Sequence, residues 1–201
     1  MKGLYAIVDN KTLSSKNFEK VILTMISKEI LIFQIRIKHK VRLNEINKII
    51  FLKKICRYYN CKIIINDNIF IAKKLDLDGI HIGKSDISLI NAKRILGNNK
   101  IIGVSCYNSY RRAKRAVENG ATYISLGSIY NTTTKKNSAS LKISTFDKVK
   151  SLINIPVCLI GGINKNNIDK VMMHDPDLIA ISKSLKSIPD IIKVTSIYSR
   201  N

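Results

Sequence analysis

The sequence is short of acidic residues, proline, cysteine and tryptophan, and it also lacks long apolar runs. Asp and Glu number 14 against 35 Lys and Arg, prolines number 3, and tryptophan is absent. The 4 cysteines form no CxxC pair and no metal-binding spacing, so they indicate reduced thiols rather than a disulfide or zinc scaffold. No apolar run reaches the roughly 18 residues of a membrane-spanning helix.

The amino-terminal residues show no secretory-signal pattern, because Asp9 closes their short apolar run. Together with reduced thiols, this predicts a cytoplasmic protein with no membrane partner. Hydrophobic residues make up 45% of the chain, which excludes a disordered protein. A length of 201 residues suits a single domain, residues 1–201.

The excess of basic residues is spread along the chain rather than gathered into a patch. Successive quarters of the chain hold 10, 10, 9 and 6 Lys and Arg residues. Ile, Lys and Asn, whose codons are rich in A and T, supply 83 of the 201 residues, so drift in base composition explains the charge better than nucleic-acid binding. A non-catalytic basic binding protein stays as a less favoured alternative. The positive field would still attract small anionic substrates.

Short apolar runs alternate with longer amphipathic segments along the whole chain, a pattern typical of βα repeats. The predicted strands are Leu4–Val8, Leu31–Ile37, Lys62–Ile65, Gly79–Ile82, Lys100–Val104, Tyr123–Leu126, Val157–Ile160 and Leu178–Ile181. The predicted helices lie near residues 15–28, 43–58, 68–75, 86–97, 108–119, 139–152, 164–173 and 185–198. Eight units predict an α/β fold, a (β/α)8 TIM barrel. A doubly wound sheet is the alternative, but residues 9–12 lack its glycine-rich first turn.

Polar residues cluster just beyond the predicted strands, where such barrels place their chemistry. Arg36 and Lys38 at the end of strand 2 suit a diphosphate, and Asp67 and Asp86 after strands 3 and 4 suit one Mg²⁺. A glycine pair and a serine after strands 7 and 8 suit a phosphate. The loop Gly127–Ser138 adds hydroxyl and cationic donors. Taken singly, each of these residue types is more often found as a helix cap or in a turn. Because they all lie on one rim, the sequence favours a binding site there. His81 is interpreted as a structural histidine.

Several ordered segments resemble the thiamine-phosphate synthase family. They are LYAIVD (4–9), QIRIK (34–38), IINDN (64–68), DGIHIGKSDI (78–87), IIGVS (101–105), GATYISLGSIYNTTTK (120–135), IPVCLIGGI (155–163) and IAISKSL (179–185). The resemblance implies the same barrel fold. It also implies a transferase that joins a pyrimidinylmethyl diphosphate to a thiazole phosphate in thiamine biosynthesis, by a dissociative mechanism that releases diphosphate.

The resemblance also implies roles for individual residues. The pyrimidine diphosphate would be held by Gln34, Arg36, Lys38, Asn66 and Lys135, with Ser105 beside the reacting groups. Mg²⁺ would be held by Asp67 and Asp86. The thiazole phosphate would be held by Thr132, Thr134, Gly162, Ile181 and Ser182. Arg36, Lys38, Ser105 and Lys135 would be the catalytic residues, because they face the developing charge.

Departures from the family pattern keep alternatives open. Two prolines are missing from the loop Gly127–Ser138, which predicts a less rigid loop. Tyr107 stands where a sister enzyme of the same barrel, the thiazole tautomerase, is expected to use a histidine, and this favours the synthase. A folded but inactive relative is a further alternative. The partners expected are small molecules, with no nucleic acid; self-association into a homo-oligomer is left open.

Overall fold

Eight parallel strands form the centre of the protein. A computed structural model describes residues 1–83, 86–130 and 141–200. The strands are β1 (Gly3–Asp9), β2 (Ile32–Arg36), β3 (Lys62–Asn66), β4 (Gly79–Ile82), β5 (Ile101–Tyr107), β6 (Tyr123–Gly127), β7 (Val157–Ile160) and β8 (Leu178–Ile181).

Helices follow the strands along the chain. They are α1 (Asn10–Leu13), α2 (Phe18–Ser27), α3 (Leu43–Tyr58), α4 (Ile69–Lys74), α5 (Leu89–Leu96), α6 (Tyr110–Glu118), α7 (Ile143–Leu152), α8 (Ile168–Met172) and α9 (Ile188–Tyr198), with a 3-10 turn at Lys183–Leu185. Within the described ranges, no helix has both the length and the apolar character needed to cross a membrane.

The strands close into a barrel in which each strand pairs with its neighbours in sequence. Every pair is parallel, and β1 completes the ring by pairing with β8 through Leu4 opposite Ile179. This confirms the predicted (β/α)8 fold. Because all strands run the same way, their carboxyl ends form one rim and their amino ends form the opposite base.

Alternate residues of each strand enter two separate apolar layers. In β1, Ala6 and Val8 pack outward against the helices, whereas Tyr5 and Ile7 fill the barrel interior. Both faces of each strand are therefore buried, which explains why the strands are continuous apolar runs in the sequence. The interior is tight: a Cβ atom on Gly103 would lie 2.1 Å from Cζ of Tyr123, so only glycine fits beside that ring.

Three polar side chains at the base bind backbone groups of the preceding strand. Asp78, before β4, accepts a hydrogen bond from the N–H of Ile63 at 2.8 Å. Thr122, before β6, accepts from the N–H of Ile102 at 2.7 Å. Asp177, before β8, accepts from the N–H of Val157 at 2.8 Å. These side chains satisfy strand N–H groups that would otherwise lack a partner in the ladder.

Asp177 also forms an ion pair across the base. Its carboxylate lies 2.6 Å from Nζ of Lys150 on α7, and its carbonyl accepts from the N–H of Gly3 in β1 at 2.8 Å. Burial acts to raise the pKa of Asp177. The hydrogen bonds from Lys150 and Val157 outweigh burial, so the pKa lies below its ordinary value. Asp177 therefore fastens β1, β7 and α7 at the place where the ring closes.

Some predicted boundaries were wrong, and two of them concern candidate site residues. β2 ends at Arg36 rather than at the predicted Ile37, and Lys38 lies in the coil that follows. β5 continues to Tyr107, so Ser105 lies within the strand rather than beyond it. The structure adds the short helix α1, which the sequence analysis did not predict and which Asp9 caps by accepting from the N–H of Thr12. Ser109 caps α6 by accepting from the N–H of Arg112, and Gly120, with a φ of 83°, follows the end of that helix.

Candidate active site

The rim gathers most of the polar residues that the sequence analysis singled out. Gln34 and Arg36 lie on β2, Asn66 ends β3, and Ser105 lies on β5. The β2 residues lie one strand away from β3 and three from β5 in the ring. The structure thus brings residues that are 71 positions apart in the chain, Gln34 and Ser105, to one end of the barrel.

The β1–β2 sector of the rim carries a cationic group above a buried amide. Gln34 is 4% exposed, and its Nε2 donates to the hydroxyl of Tyr5 at 2.6 Å. Arg36 is half-buried and lies in register with Asp9 of β1. Lys38 is exposed in the coil that follows. An anion reaching this sector would meet two positive side chains and one amide.

Asp9 joins two rim loops, a role that the sequence analysis did not assign. Its carboxylate forms an ion pair with Lys186, which follows β8, at 2.5 Å. Burial acts to raise the pKa of Asp9, but hydrogen bonds from Lys186 and from the N–H of Thr12 outweigh it and lower the pKa. The Asp9 carboxylate is therefore ionised, and the positive charge of Lys186 balances its negative charge.

The candidate magnesium ligands lie after neighbouring strands. Asp67 follows β3 with a positive φ of 63°, and Asp86 follows β4 and accepts a hydrogen bond from the N–H of Gly83. Neither residue caps the next helix, because Asn68 caps α4 and Ser88 caps α5. Among the described residues, no group of three or more His, Cys, Asp or Glu side chains is arranged for a metal. Two carboxylates fit an ion such as Mg²⁺, which also takes phosphate oxygens and water.

Arg112 of α6 ties together the ends of β4 and β5. Its Nε donates to the carbonyl of Ser105 at 2.7 Å, and its Nη2 donates to the carbonyl of Gly83 at 2.9 Å. The guanidinium also lies 5.5 Å from the ring centre of Tyr107. The backbone around Ser105 and the loop leading to Asp86 are therefore held by one side chain, which sequence reasoning missed because a helix arginine usually faces solvent.

His81 is buried with both ring nitrogens hydrogen-bonded, which agrees with the structural histidine that the sequence analysis predicted. It is 7% exposed, its Nε2 lies 2.9 Å from Oγ of Ser105, and its Nδ1 lies 2.7 Å from the hydroxyl of Tyr123. The Tyr123 hydroxyl is in turn 2.8 Å from that of Tyr5. These contacts join β1, β2, β4, β5 and β6 through the barrel interior. Both tyrosines lie mid-strand among apolar residues, so the sequence offers no signal for them beyond their hydroxyls.

The β7–β8 sector has the geometry of an anion site. Gly161 and Gly162 have φ values of 108° and 70°, a backbone conformation that favours glycine. Ser182 begins the 3-10 turn, and its side chain makes no capping hydrogen bond there. Ile181 is buried beside it. Backbone N–H groups at such a glycine pair, together with a serine hydroxyl, suit a phosphate.

Three candidate residues of the loop after β6, Thr132, Thr134 and Lys135, lie outside the described residues. The loop up to Tyr130 is fixed against β7, because Ile129 and Tyr130 donate through their N–H groups to the carbonyls of Ile160 and Gly161. Tyr130 is therefore held beside the glycine pair.

A comparison with known families matches residues 4–185 to the family described as thiamine monophosphate synthase. Curated relatives carry the name thiamine-phosphate synthase. The Pelagibacter ubique protein is 38% identical over 90% of this chain and 87% of its own length. The Clostridium acetobutylicum protein is 39% identical over 92% of this chain and 87% of its own length.

Among solved structures, a thiamine phosphate pyrophosphorylase from Pyrococcus furiosus superposes with a TM-score of 0.84. It is 25% identical in sequence, and the superposition covers 98% of this chain and 95% of that chain. The similarity therefore extends over the whole ring of strands and over both sectors of the rim.

Proposed function

Because the chain belongs to the thiamine monophosphate synthase family, and is therefore a transferase that forms thiamine phosphate in thiamine biosynthesis, we propose its substrates. They are 4-amino-2-methyl-5-pyrimidinylmethyl diphosphate and 4-methyl-5-(2-phosphoethyl)thiazole, whose carboxylated form would also lose CO₂. The observation that carries this proposal is that one rim holds two groups of residues suited to an anion, Arg36 with Lys38 in the β1–β2 sector and the Gly161–Gly162 pair with Ser182 in the β7–β8 sector. Two phosphorylated substrates need two such sectors.

The diphosphate belongs to the β1–β2 sector. Arg36, Lys38 and Lys135 would face its oxygens, while Gln34 and Asn66 would hold the pyrimidine. Negative charge grows on the diphosphate as its bond to the methylene carbon breaks, so cations there stabilise the transition state more than the bound substrate. The half-buried state of Arg36 supports this role, because partial exclusion of water strengthens its interaction with an anion.

Asp67 and Asp86 would hold Mg²⁺, which when bound neutralises charge on the departing diphosphate. The two carboxylates follow adjacent strands and do not cap helices, so their oxygens suit this use. Asp86 keeps its side chain fixed through the N–H of Gly83.

The thiazole phosphate belongs to the β7–β8 sector. Gly162 and Ser182 would bind its phosphate, Thr132 and Thr134 would add donors from the neighbouring loop, and Ile181 would pack beside them. The thiazole nitrogen would then capture the pyrimidinyl cation left by the diphosphate, forming the new C–N bond. No proton has to be removed for that step, so the protein positions the partners and keeps water away from the cation.

We also propose a cytoplasmic location. All 4 cysteines are free and buried, as expected where thiols stay reduced. Burial raises the pKa of Cys106 to about 12, so its thiol stays protonated and unreactive.

The test is a coupled assay with the purified protein and both proposed substrates, with Mg²⁺ or with EDTA. Thiamine phosphate is detected after oxidation to fluorescent thiochrome. We expect product that depends on Mg²⁺. A folded protein that gives no product, but converts a thiazole isomer supplied alone, would overturn the proposal in favour of the tautomerase.

A further inference from the structure

A continuous line of hydrogen bonds crosses the barrel interior from Gln34 to Ser105. It passes from Gln34 Nε2 to Tyr5 at 2.6 Å and on to Tyr123 at 2.8 Å. It then reaches His81 Nδ1 at 2.7 Å and runs from His81 Nε2 to Ser105 Oγ at 2.9 Å. Both ends of this line are substrate-contact residues of the proposed function, on strands at different sides of the rim.

The hydrogen bonds of this line have one consistent direction. The amide nitrogen of Gln34 can only donate, so the Tyr5 oxygen accepts. The Tyr5 hydrogen then goes to the Tyr123 oxygen, and the Tyr123 hydrogen goes to Nδ1 of His81. With Nδ1 accepting, a neutral imidazole carries its hydrogen on Nε2 and donates to Ser105. The Ser105 hydroxyl hydrogen is left for another acceptor.

The opposite direction fails at Tyr5. If Ser105 donated to His81, and His81 to Tyr123, then Tyr123 would donate to Tyr5. The Tyr5 oxygen would accept twice, and its own hydrogen would face the nitrogen of Gln34, which accepts nothing. Tyr5 is 2% exposed, so a hydroxyl hydrogen without an acceptor there would be costly. Burial also raises the pKa of both tyrosines, which keeps their hydroxyl hydrogens in place.

The packing around Tyr123 fixes this line in position. Its ring is stacked on that of His81, with centres 5.5 Å apart, and it meets Tyr5 edge-on at 5.9 Å. The missing side chain of Gly103 makes room for the ring. Tyr123 is 1% exposed and can hardly move without displacing a strand.

We propose that Tyr5 and Tyr123 are positioning residues that hold His81 as the neutral Nε2–H tautomer, so that the Ser105 hydroxyl donates its hydrogen to the bound pyrimidine diphosphate. The assignment of the diphosphate to Ser105 rests on the proposed function; the tautomer does not. Gln34 sets the direction from its end, so the residue that touches the pyrimidine also orients the donor on the far side of the rim.

The first arm of the test is ¹⁵N NMR of the histidine rings in the intact protein at neutral pH, with His81→Gln identifying the His81 signals. We expect the shifts of a neutral ring with its hydrogen on Nε2. In Tyr123→Phe, which removes the donor to Nδ1, we expect a mixture of tautomers. A wild-type ring with its hydrogen on Nδ1, or an imidazolium, would overturn the proposal whether or not the protein makes thiamine phosphate.

The second arm is kinetic. Tyr123→Phe should lower kcat about tenfold, as expected for one neutral hydrogen bond, with the KM for the thiazole phosphate unchanged. In a Ser105→Ala background, Tyr123→Phe should lower kcat no further, because the donor it orients is gone. Tyr198→Phe on α9 is the matched control. Should Tyr123→Phe fail to fold, Tyr5→Phe takes its place, with a smaller fall in kcat and the same dependence on Ser105. An equal fall in kcat in the wild-type and Ser105→Ala backgrounds would show that the tyrosines act only through packing.

Discussion

The two ends of the barrel use the same residue types for opposite purposes. At the base, Asp78 and Asp177 bind the N–H groups of Ile63 and Val157, and Asp177 is also paired with Lys150. At the rim, Asp67 and Asp86 leave the capping of α4 and α5 to Asn68 and Ser88. The two carboxylates before strands thus complete the ladder, whereas the two after β3 and β4 are the ligands of the proposed magnesium site. We therefore expect base variants to change stability and rim variants to change turnover.

The largest effect is expected at the rim. Asp86→Asn should lower turnover about 100-fold, because it removes charge from the proposed magnesium site. The amide oxygen can still accept from Gly83, so the melting temperature should stay unchanged. Turnover is measured at several Mg²⁺ concentrations, with the exposed Asp175→Asn as control. Wild-type turnover in Asp86→Asn would remove Asp86 from the metal site.

At the base, Asp177→Ala should lower the free energy of unfolding by about 2 kcal/mol. The buried Val157 N–H loses its acceptor and Lys150 loses its partner. Turnover of the folded fraction should match that of the wild type. Urea unfolding and the thiochrome assay check the two halves of this expectation. Unchanged stability with reduced turnover would show that the two ends are not separate in function.

A milder break at the base is Thr122→Val, which keeps the side-chain shape and removes the acceptor for the Ile102 N–H. The hydroxyl also donates to the Ile102 carbonyl at 3.0 Å, but that carbonyl keeps its hydrogen bond from the N–H of Thr122. The expected loss is therefore about 1 kcal/mol, because the buried N–H of Ile102 is left without its acceptor. Thr24→Val on α2 is the control, because its hydroxyl donates to the carbonyl of Lys20 on an exposed helix face. A loss of stability equal to that of the control would mean that the hydrogen bond between Thr122 and Ile102 contributes nothing to the free energy of unfolding.

The smallest effect concerns acid. Because the folded pKa of Asp177 is lowered, the folded state binds fewer protons there than the unfolded chain. This stabilisation is complete above the unfolded pKa of about 3.9 and is lost as the pH falls through the lowered folded pKa. The difference in stability between wild type and Asp177→Asn should therefore shrink below about pH 4. Lys150→Met, which keeps the carboxylate but removes its cation, should show part of the same change. A difference that is constant with pH would contradict the assignment.

The fold could be predicted because both faces of each strand are buried, so each strand is a continuous run of apolar residues in the sequence. The rim location of Gln34, Arg36, Asn66 and Asp67 followed from the strand ends alone. The path from Gln34 to Ser105 could not be predicted, because a tyrosine such as Tyr123 within an apolar run is indistinguishable from core. Only the closing of the ring brings Tyr123 to Tyr5, which lies 118 residues away in the chain.

Boundary errors had a local cause. Ser105 belongs to β5 because it still pairs with Ser125 of β6, and a register shift after it carries the strand on to Tyr107, opposite Leu126. Lys38 leaves β2 because pairing with β1 ends where Arg36 meets Asp9. Both strand ends depend on where the neighbouring strand ends. The residues of one strand alone therefore do not predict them.

The closure of the ring sets an order of events during synthesis of the chain. Seven of the eight strand pairs join consecutive strands, whereas the pair of β1 with β8 joins Gly3 to Leu178. The first strand therefore waits with one open side until nearly the whole chain has left the ribosome, and an open strand side can pair with other chains. Asp177 directly precedes β8, and its carbonyl accepts a hydrogen bond from the N–H of Gly3. Its arrival therefore closes the open side of β1.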